Sequence, residues 1–209
     1  MKDDLSLYLV TDPQLCGERG VVATVEAAIR GGVTAVQLRD KQASARELVH
    51  LAAALLNVLK QAGIPLFIND RLDVALAIGA DGVHLGQADL DVKAARQLAG
   101  ANFLIGLTVS RAEEIAAVNA LPIGTVDYLG IGPIFTTSTK ANALDPLGLD
   151  AVAELRRSTH LPCIGIGGIT LENASSVWST GLDGLAVVSA ICTASDPKVA
   201  AEILRKSRA

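Results

Sequence analysis

The chain has 209 residues, with 50% hydrophobic and 19% charged residues, a balance that builds a globular core and excludes a disordered chain. Its net charge of −4 excludes a general polyanion binder, and 3% aromatics are too few for a stacking platform for single-stranded nucleic acid.

In chain order, residues 5–10 read as a strand closed by Thr11-Asp12-Pro13, and residues 21–30 as a helix stopped by Gly31-Gly32. Residues 34–38 are a second strand. Ser44 and Glu47 then form a capping box, each side chain satisfying the other's backbone N–H, and open a helix that stops before Gly63. Residues 65–68 and 82–85 read as strands, 72–78 and 92–98 as helices, with Asp91 capping the latter. Residues 103–107 are the fifth strand, and Ser110 with Glu113 predicts a second capping box. Strands follow at 127–131, 162–166 and 184–188, and helices at 149–157 and 171–179. Asp196-Pro197 opens the last helix, with proline at its tolerated first position.

These are eight strand–helix units of about 26 residues, uninterrupted by any linker, and they predict an α/β fold, a (β/α)8 TIM barrel spanning 1–209 as one domain. The competing architecture is a doubly wound open sheet. Closure is preferred because it leaves no edge. A faint repeat supports regular winding: Gly79-Ala80-Asp81-Gly82 echoes Gly181-Leu182-Asp183-Gly184.

In such barrels the chemistry sits at the carboxyl ends of the strands. Gln37, Arg39 and Lys41 follow strand two at a spacing of two, so an extended segment points all three the same way, an arrangement suited to a diphosphate. Asp70 and Asp89 fall on neighbouring loops after strands three and four. Each alone reads as a cap or turn residue; together, opposite cations, they suit a magnesium ion shared with phosphate oxygens. Gly167-Gly168 after strand seven, and Val188 with Ser189 after strand eight, occupy the recurrent phosphate position of these barrels. Residues 127–140, DYLGIGPIFTTSTK, pass from a buried strand into hydroxyls and one lysine, the composition of an anion site. His84, within strand four, reads as a hydrogen-bonded structural histidine, and no histidine spacing suggests zinc.

The segments Tyr8-Leu9-Val10-Thr11-Asp12, Val36-Gln37-Leu38-Arg39-Asp40-Lys41, Ile68-Asn69-Asp70-Arg71, Asp81-Gly82-Val83-His84-Leu85-Gly86-Gln87, Gly130-Ile131-Gly132-Pro133-Ile134-Phe135 with Thr137-Ser138-Thr139-Lys140, and Gly165-Ile166-Gly167-Gly168-Ile169 together resemble the thiamine-phosphate synthase family over nearly the whole chain. The resemblance implies condensation of 4-amino-2-methyl-5-(diphosphooxymethyl)pyrimidine with a thiazole phosphate, or its carboxylated form, to give thiamine monophosphate and diphosphate. It implies that Gln37, Arg39, Lys41, Asn69 and Lys140 hold the pyrimidine diphosphate, with Arg39, Lys41 and Lys140 catalytic. Asp70 and Asp89 would bind Mg2+. Thr137, Ser138, Thr139, Gly168, Val188 and Ser189 would hold the thiazole phosphate. One position departs from the family's pattern: Thr108 stands where serine is expected, keeping the hydroxyl and adding a methyl.

Two other readings are a tautomerase-like relative acting on the thiazole phosphate alone and a non-catalytic thiamine-phosphate-binding regulator. The complete diphosphate clamp argues against the first. Small molecules are the expected partners, with no nucleic acid and no membrane, and the sequence leaves the oligomeric state open, a homodimer included. The three cysteines, Cys16, Cys163 and Cys192, lack CxxC spacing and fit packing roles in a reducing compartment. Acidic Asp3 and Asp4 make a poor signal peptide, so the expected location is the cytoplasm.

Overall fold

A computed structural model describes residues 5–137 and 145–208. In chain order its elements are β1 (Leu7–Val10), α1 (Pro13–Cys16), α2 (Gly20–Arg30), β2 (Ala35–Leu38), α3 (Ala45–Ala62), β3 (Leu66–Asn69), α4 (Leu72–Ile78), β4 (Gly82–Leu85) and α5 (Val92–Ala99). They continue with β5 (Leu104–Val109), α6 (Ala112–Asn119), β6 (Tyr128–Ile131), α7 (Gly148–Arg157), β7 (Cys163–Ile166), α8 (Ala174–Trp178), β8 (Gly184–Val187), α9 (Ser189–Cys192) and α10 (Pro197–Lys206). The strands are parallel and close into a barrel in sequence order. Closure is made by β1 on β8, with Tyr8 opposite Ala186 and Leu9 opposite Val187, which rules out the open sheet.

Most local signals act as read. Ser44 and Glu47 form the capping box, and Gly63, in the left-handed region at φ 66°, ends α3. Asp91 and Asp196 each accept from two backbone N–H groups at the starts of α5 and α10. The box expected at Ser110 and Glu113 does not form. The Ser110 hydroxyl donates instead to the Gly132 carbonyl at 2.5 Å, and Glu114 takes the Ser110 N–H at 2.6 Å. Donation to the end of the paired strand β6 orients that hydroxyl, and Glu114 in place of Glu113 takes the N–H, so the reciprocal pair of a capping box is not made. The helix expected over 171–179 is shorter, because the Asn173 side chain accepts from the Thr170 N–H at 2.8 Å and holds the preceding residues in a turn. The short α1 and α9 were not expected.

The repeated Gly-x-Asp-Gly segment has a physical meaning at the foot of the barrel. Asp81 accepts from the Leu66 N–H at 2.8 Å, and Asp183 from the Cys163 N–H at 2.8 Å. Asp127 does the same for Ile105 at 2.7 Å. Each carboxylate entering one strand thus satisfies an N–H at the start of the strand before it.

The core has two compartments. Leu, Val and Ile pack between barrel and helices, while Tyr8, Phe67 and Tyr128 fill the barrel with Val10, Ala35, Ile164 and Ala186. The three ring centroids lie 5.3 to 6.0 Å apart. Such large rings fit because glycines face them: a Cβ on Gly106 would lie 2.2 Å from the Tyr128 ring, and one on Gly82 2.6 Å from Phe67. Gly106→Ala is therefore expected to destabilise the fold by about 1–3 kcal/mol through overpacking. A thermal melt checks this, and an unchanged midpoint would mean that the ring shifts aside freely. The three cysteines are buried and free, in keeping with packing roles.

Candidate active site

The carboxyl ends of the strands open into a cavity. Gln37, Arg39 and Lys41 all line it, so the spacing of two did aim them together. Gln37 lies in β2 and is buried. Arg39 just beyond is steadied from β1: its backbone N–H donates to Thr11 Oγ1 at 3.1 Å, and its guanidinium pairs with Asp12 at 3.3 Å. Asp12, which the sequence reads only as part of the turn closing strand one, is thus both the cap of α1 and a residue that orders the site.

Asn69 and Asp70 line the same wall. Asp70 has φ 61°, the one non-glycine residue with positive φ among the described residues. Aspartate tolerates this region better than most side chains, yet the conformation carries strain and is held by its surroundings. The holding contacts are visible: Asp70 N–H donates to the His84 carbonyl at 2.9 Å, and Lys41 Nζ donates to Asp70 Oδ2 at 2.5 Å. Asp89 lies alongside, its Oδ2 accepting from the Gly86 N–H at 2.7 Å. It is therefore the turn residue of the plain reading and a member of the cluster at once.

The Asp70 and Asp89 carboxyls line the same cavity and act on each other electrostatically. Two carboxylates so placed cannot both hold full charge comfortably. Burial acts to raise Asp70, but the hydrogen bond from Lys41 and the influence of Asp89 outweigh it and hold Asp70 below the ordinary carboxylate range. Asp89 is pushed above that range, by burial first and then by Asp70.

The opposite wall holds Thr137, Gly168, Val188 and Ser189. Gly167 and Gly168 have φ 101° and 65°, and a Cβ on Gly168 would meet the Thr136 carbonyl oxygen at 2.6 Å, so only glycine fits this loop. Asn173 Nδ2 donates to the Gly168 carbonyl at 2.9 Å and fixes the loop from behind. Ser138, Thr139 and Lys140 lie outside the described residues.

The floor is a polar chain within an otherwise apolar barrel. Gln37 Nε2 donates to the Tyr8 hydroxyl at 3.1 Å, and the Tyr8 and Tyr128 hydroxyls are 2.9 Å apart. His84 Nδ1 lies 3.0 Å from the Tyr128 hydroxyl and Nε2 lies 2.8 Å from Thr108 Oγ1. Burial pushes both tyrosines well above the ordinary phenol range, so both keep their protons at neutral pH. His84 is buried and hydrogen-bonded as the sequence suggested, but it also lines the cavity. The sequence reading gives Tyr8 and Tyr128 no site role and His84 only a structural one. Strand parity was the available signal, since Tyr8 shares its inward face with Val10, and Tyr128 with Gly130.

A magnesium ion suits this donor set. Among the described residues no group of three or more His, Cys, Asp or Glu side chains could hold a metal. The two neighbouring carboxyls match an ion that takes one or two carboxylates and fills its other positions with water and substrate phosphate.

The family model for thiamine monophosphate synthase matches residues 7–191. A thiamine-phosphate synthase from Azorhizobium caulinodans is 52% identical over 202 residues, covering 97% of this chain and 94% of that one. One from Albidiferax ferrireducens is also 52% identical, covering 97% and 91%. The solved thiamine phosphate pyrophosphorylase from Pyrococcus furiosus superposes with a TM-score of 0.88 at 38% identity, covering 98% of this chain and 96% of that one.

Proposed function

The chain belongs to the thiamine monophosphate synthase family, and from that premise we propose how its pocket carries out the family's reaction. The activity is that of a transferase of thiamine biosynthesis. The substrates are 4-amino-2-methyl-5-(diphosphooxymethyl)pyrimidine and a thiazole phosphate. The observation that carries the assignment of roles is the meeting of Gln37, Arg39, Lys41, Asn69, Asp70 and Asp89 on one wall, facing Thr137, Gly168, Val188 and Ser189 on the other. The first wall suits a diphosphate and the second a monophosphate, with the reacting carbon and nitrogen between them.

In this reading Arg39 and Lys41 bind the diphosphate and neutralise the charge that grows as its C–O bond breaks. The bonding electron pair leaves with diphosphate, and the amino-substituted ring spreads the positive charge left on its exocyclic carbon. The lone pair of the thiazole nitrogen then forms the new C–N bond. No strong base is required, in keeping with a pocket whose one histidine is tied into the floor. Asp70 and Asp89 would hold Mg2+. When bound, that ion supplies further neutralisation of the leaving diphosphate. Thr137 and the backbone at Gly168, Val188 and Ser189 would seat the thiazole phosphate. Ser138, Thr139 and catalytic Lys140 complete the two anion sites by resemblance to the family motif. The proposed unit is one domain over 1–209, working on small molecules. No helix among the described residues is long and apolar enough to cross a membrane, and a cytoplasmic location is proposed with the function.

The test is a two-substrate assay with and without divalent metal. Thiamine phosphate and diphosphate should appear in equal amounts. Absence of both under every divalent metal tried would refute the assignment.

A further inference from the structure

With Gln37 donating to Tyr8, the protons of the polar chain on the barrel floor order in one sense, and the chain reaches the pocket at both ends. Gln37 Nε2 donates to the Tyr8 hydroxyl at 3.1 Å, leaving the Gln37 carbonyl oxygen as an acceptor. The Tyr8 proton then has the Tyr128 oxygen, at 2.9 Å, as its acceptor. Pairing the Tyr128 proton with His84 Nδ1, 3.0 Å away, requires the neutral imidazole that carries its own proton on Nε2. That proton is donated to Thr108 Oγ1 at 2.8 Å. Thr108 is left with its own O–H to give to the pocket. Every buried hydroxyl proton has an acceptor in this sense. Reversal would need the Gln37 amide turned round, both hydroxyls turned over and the other His84 tautomer, all together. A half-reversed chain leaves a buried polar group unpaired, at the full cost of its desolvation.

We propose that Tyr8, Tyr128 and His84 are positioning residues that lock Gln37 as an acceptor and Thr108 as a donor, and so make the pocket specific for an amino-substituted pyrimidine over its oxo counterpart. A 4-aminopyrimidine offers an exocyclic N–H donor beside a ring-nitrogen acceptor. The 4-oxo ring offers the opposite, a carbonyl acceptor beside a ring N–H donor. Two rigid partners of fixed polarity accept the first pattern and are left unpaired by the second, the situation in which polar sites discriminate most strongly. Neighbouring glycines keep the chain in place: a Cβ on Gly130 would lie 3.0 Å from His84 Cε1, and one on Gly106 would strike the Tyr128 ring. The inference rests on the pyrimidine substrate of the proposed function and adds to it the residues that choose among pyrimidines.

The experiment measures Kd for the 4-amino pyrimidinylmethyl diphosphate and for its 4-oxo analogue, with inorganic diphosphate as a third ligand. The intact protein should bind the amino form at least about tenfold more tightly than the oxo form. Tyr128→Phe keeps the ring and removes one oxygen. It should bring the oxo/amino ratio down by about tenfold or more, while the Kd for inorganic diphosphate changes by less than about twofold. A merely structural role would move all three constants together. If Tyr128→Phe does not fold, Thr108→Val at the pocket end should lower the same ratio. An unchanged ratio in the variant that folds, or an intact protein that prefers the oxo form, overturns the inference. Failure of the intact protein to form thiamine phosphate would instead count against the proposed function, leaving the measured ratio to judge the polar chain separately.

Discussion

Lys41→Ala should lower turnover by about 10²–10³-fold, the usual cost of removing one preorganised charge-stabilising donor, with little change in the thermal midpoint. The side chain is about half exposed, at 51%, so its loss opens no cavity. What is lost is the cation proposed to meet the diphosphate, together with the 2.5 Å contact that steadies Asp70. Removing that partner also raises the Asp70 carboxyl, because the Lys41 hydrogen bond is the largest influence holding it down against burial. The variant should therefore need more metal as well as turning over slowly. Lys41→Arg keeps the charge but not the compact ammonium, and should recover part of the loss. Diphosphate release at saturating metal, paired with a melt, measures both effects. Turnover like that of the intact protein would remove Lys41 from the reaction.

Asp70→Asn and Asp89→Asn should each raise the half-activating Mg2+ concentration by at least about tenfold, since each removes one of the two carboxylates proposed to hold the ion. Asparagine is the informative replacement at position 70 because it tolerates the left-handed backbone at φ 61°, so the loss of charge is read without added strain. The pH dependence has a definite sign. Asp89 titrates above the ordinary carboxylate range, and a protonated carboxyl must lose its proton before it takes a metal. The half-activating Mg2+ concentration should therefore climb as pH falls through the raised Asp89 value. In Asp70→Asn one cause of that rise is gone, and the climb should begin at lower pH. Metal titrations at several pH values check this, and flat titrations in both variants would dissolve the proposed metal site.

The two walls of the pocket differ in how far they could be read from the chain. Gln37, Arg39 and Lys41 are near neighbours on one strand and its extension, and strand geometry alone aimed them together. Asp70 and Asp89 were legible as loop residues after successive strands. Their electrostatic coupling, the Lys41 bridge and the positive φ of Asp70 were not, because each depends on how neighbouring loops meet. Ser110 shows the same limit from the other side. Its local pattern favoured a capping box, but the Gly132 carbonyl, 22 residues away, took the hydroxyl instead.

By itself the sequence determined what acts over a few residues: the alternation of strand and helix, the caps at Ser44, Asp91 and Asp196, the glycine stops, and the cationic strand end. Those signals are local because backbone dihedrals and capping hydrogen bonds are local. Only the tertiary structure decided the rest. Closing the barrel brings Tyr8 and Tyr128, 120 positions apart, to within a hydrogen bond. It sets His84 between Tyr128 and Thr108, and it places glycines where those rings need room. The register of closure is fixed by the packing of all eight strands at once, and no single segment carries it.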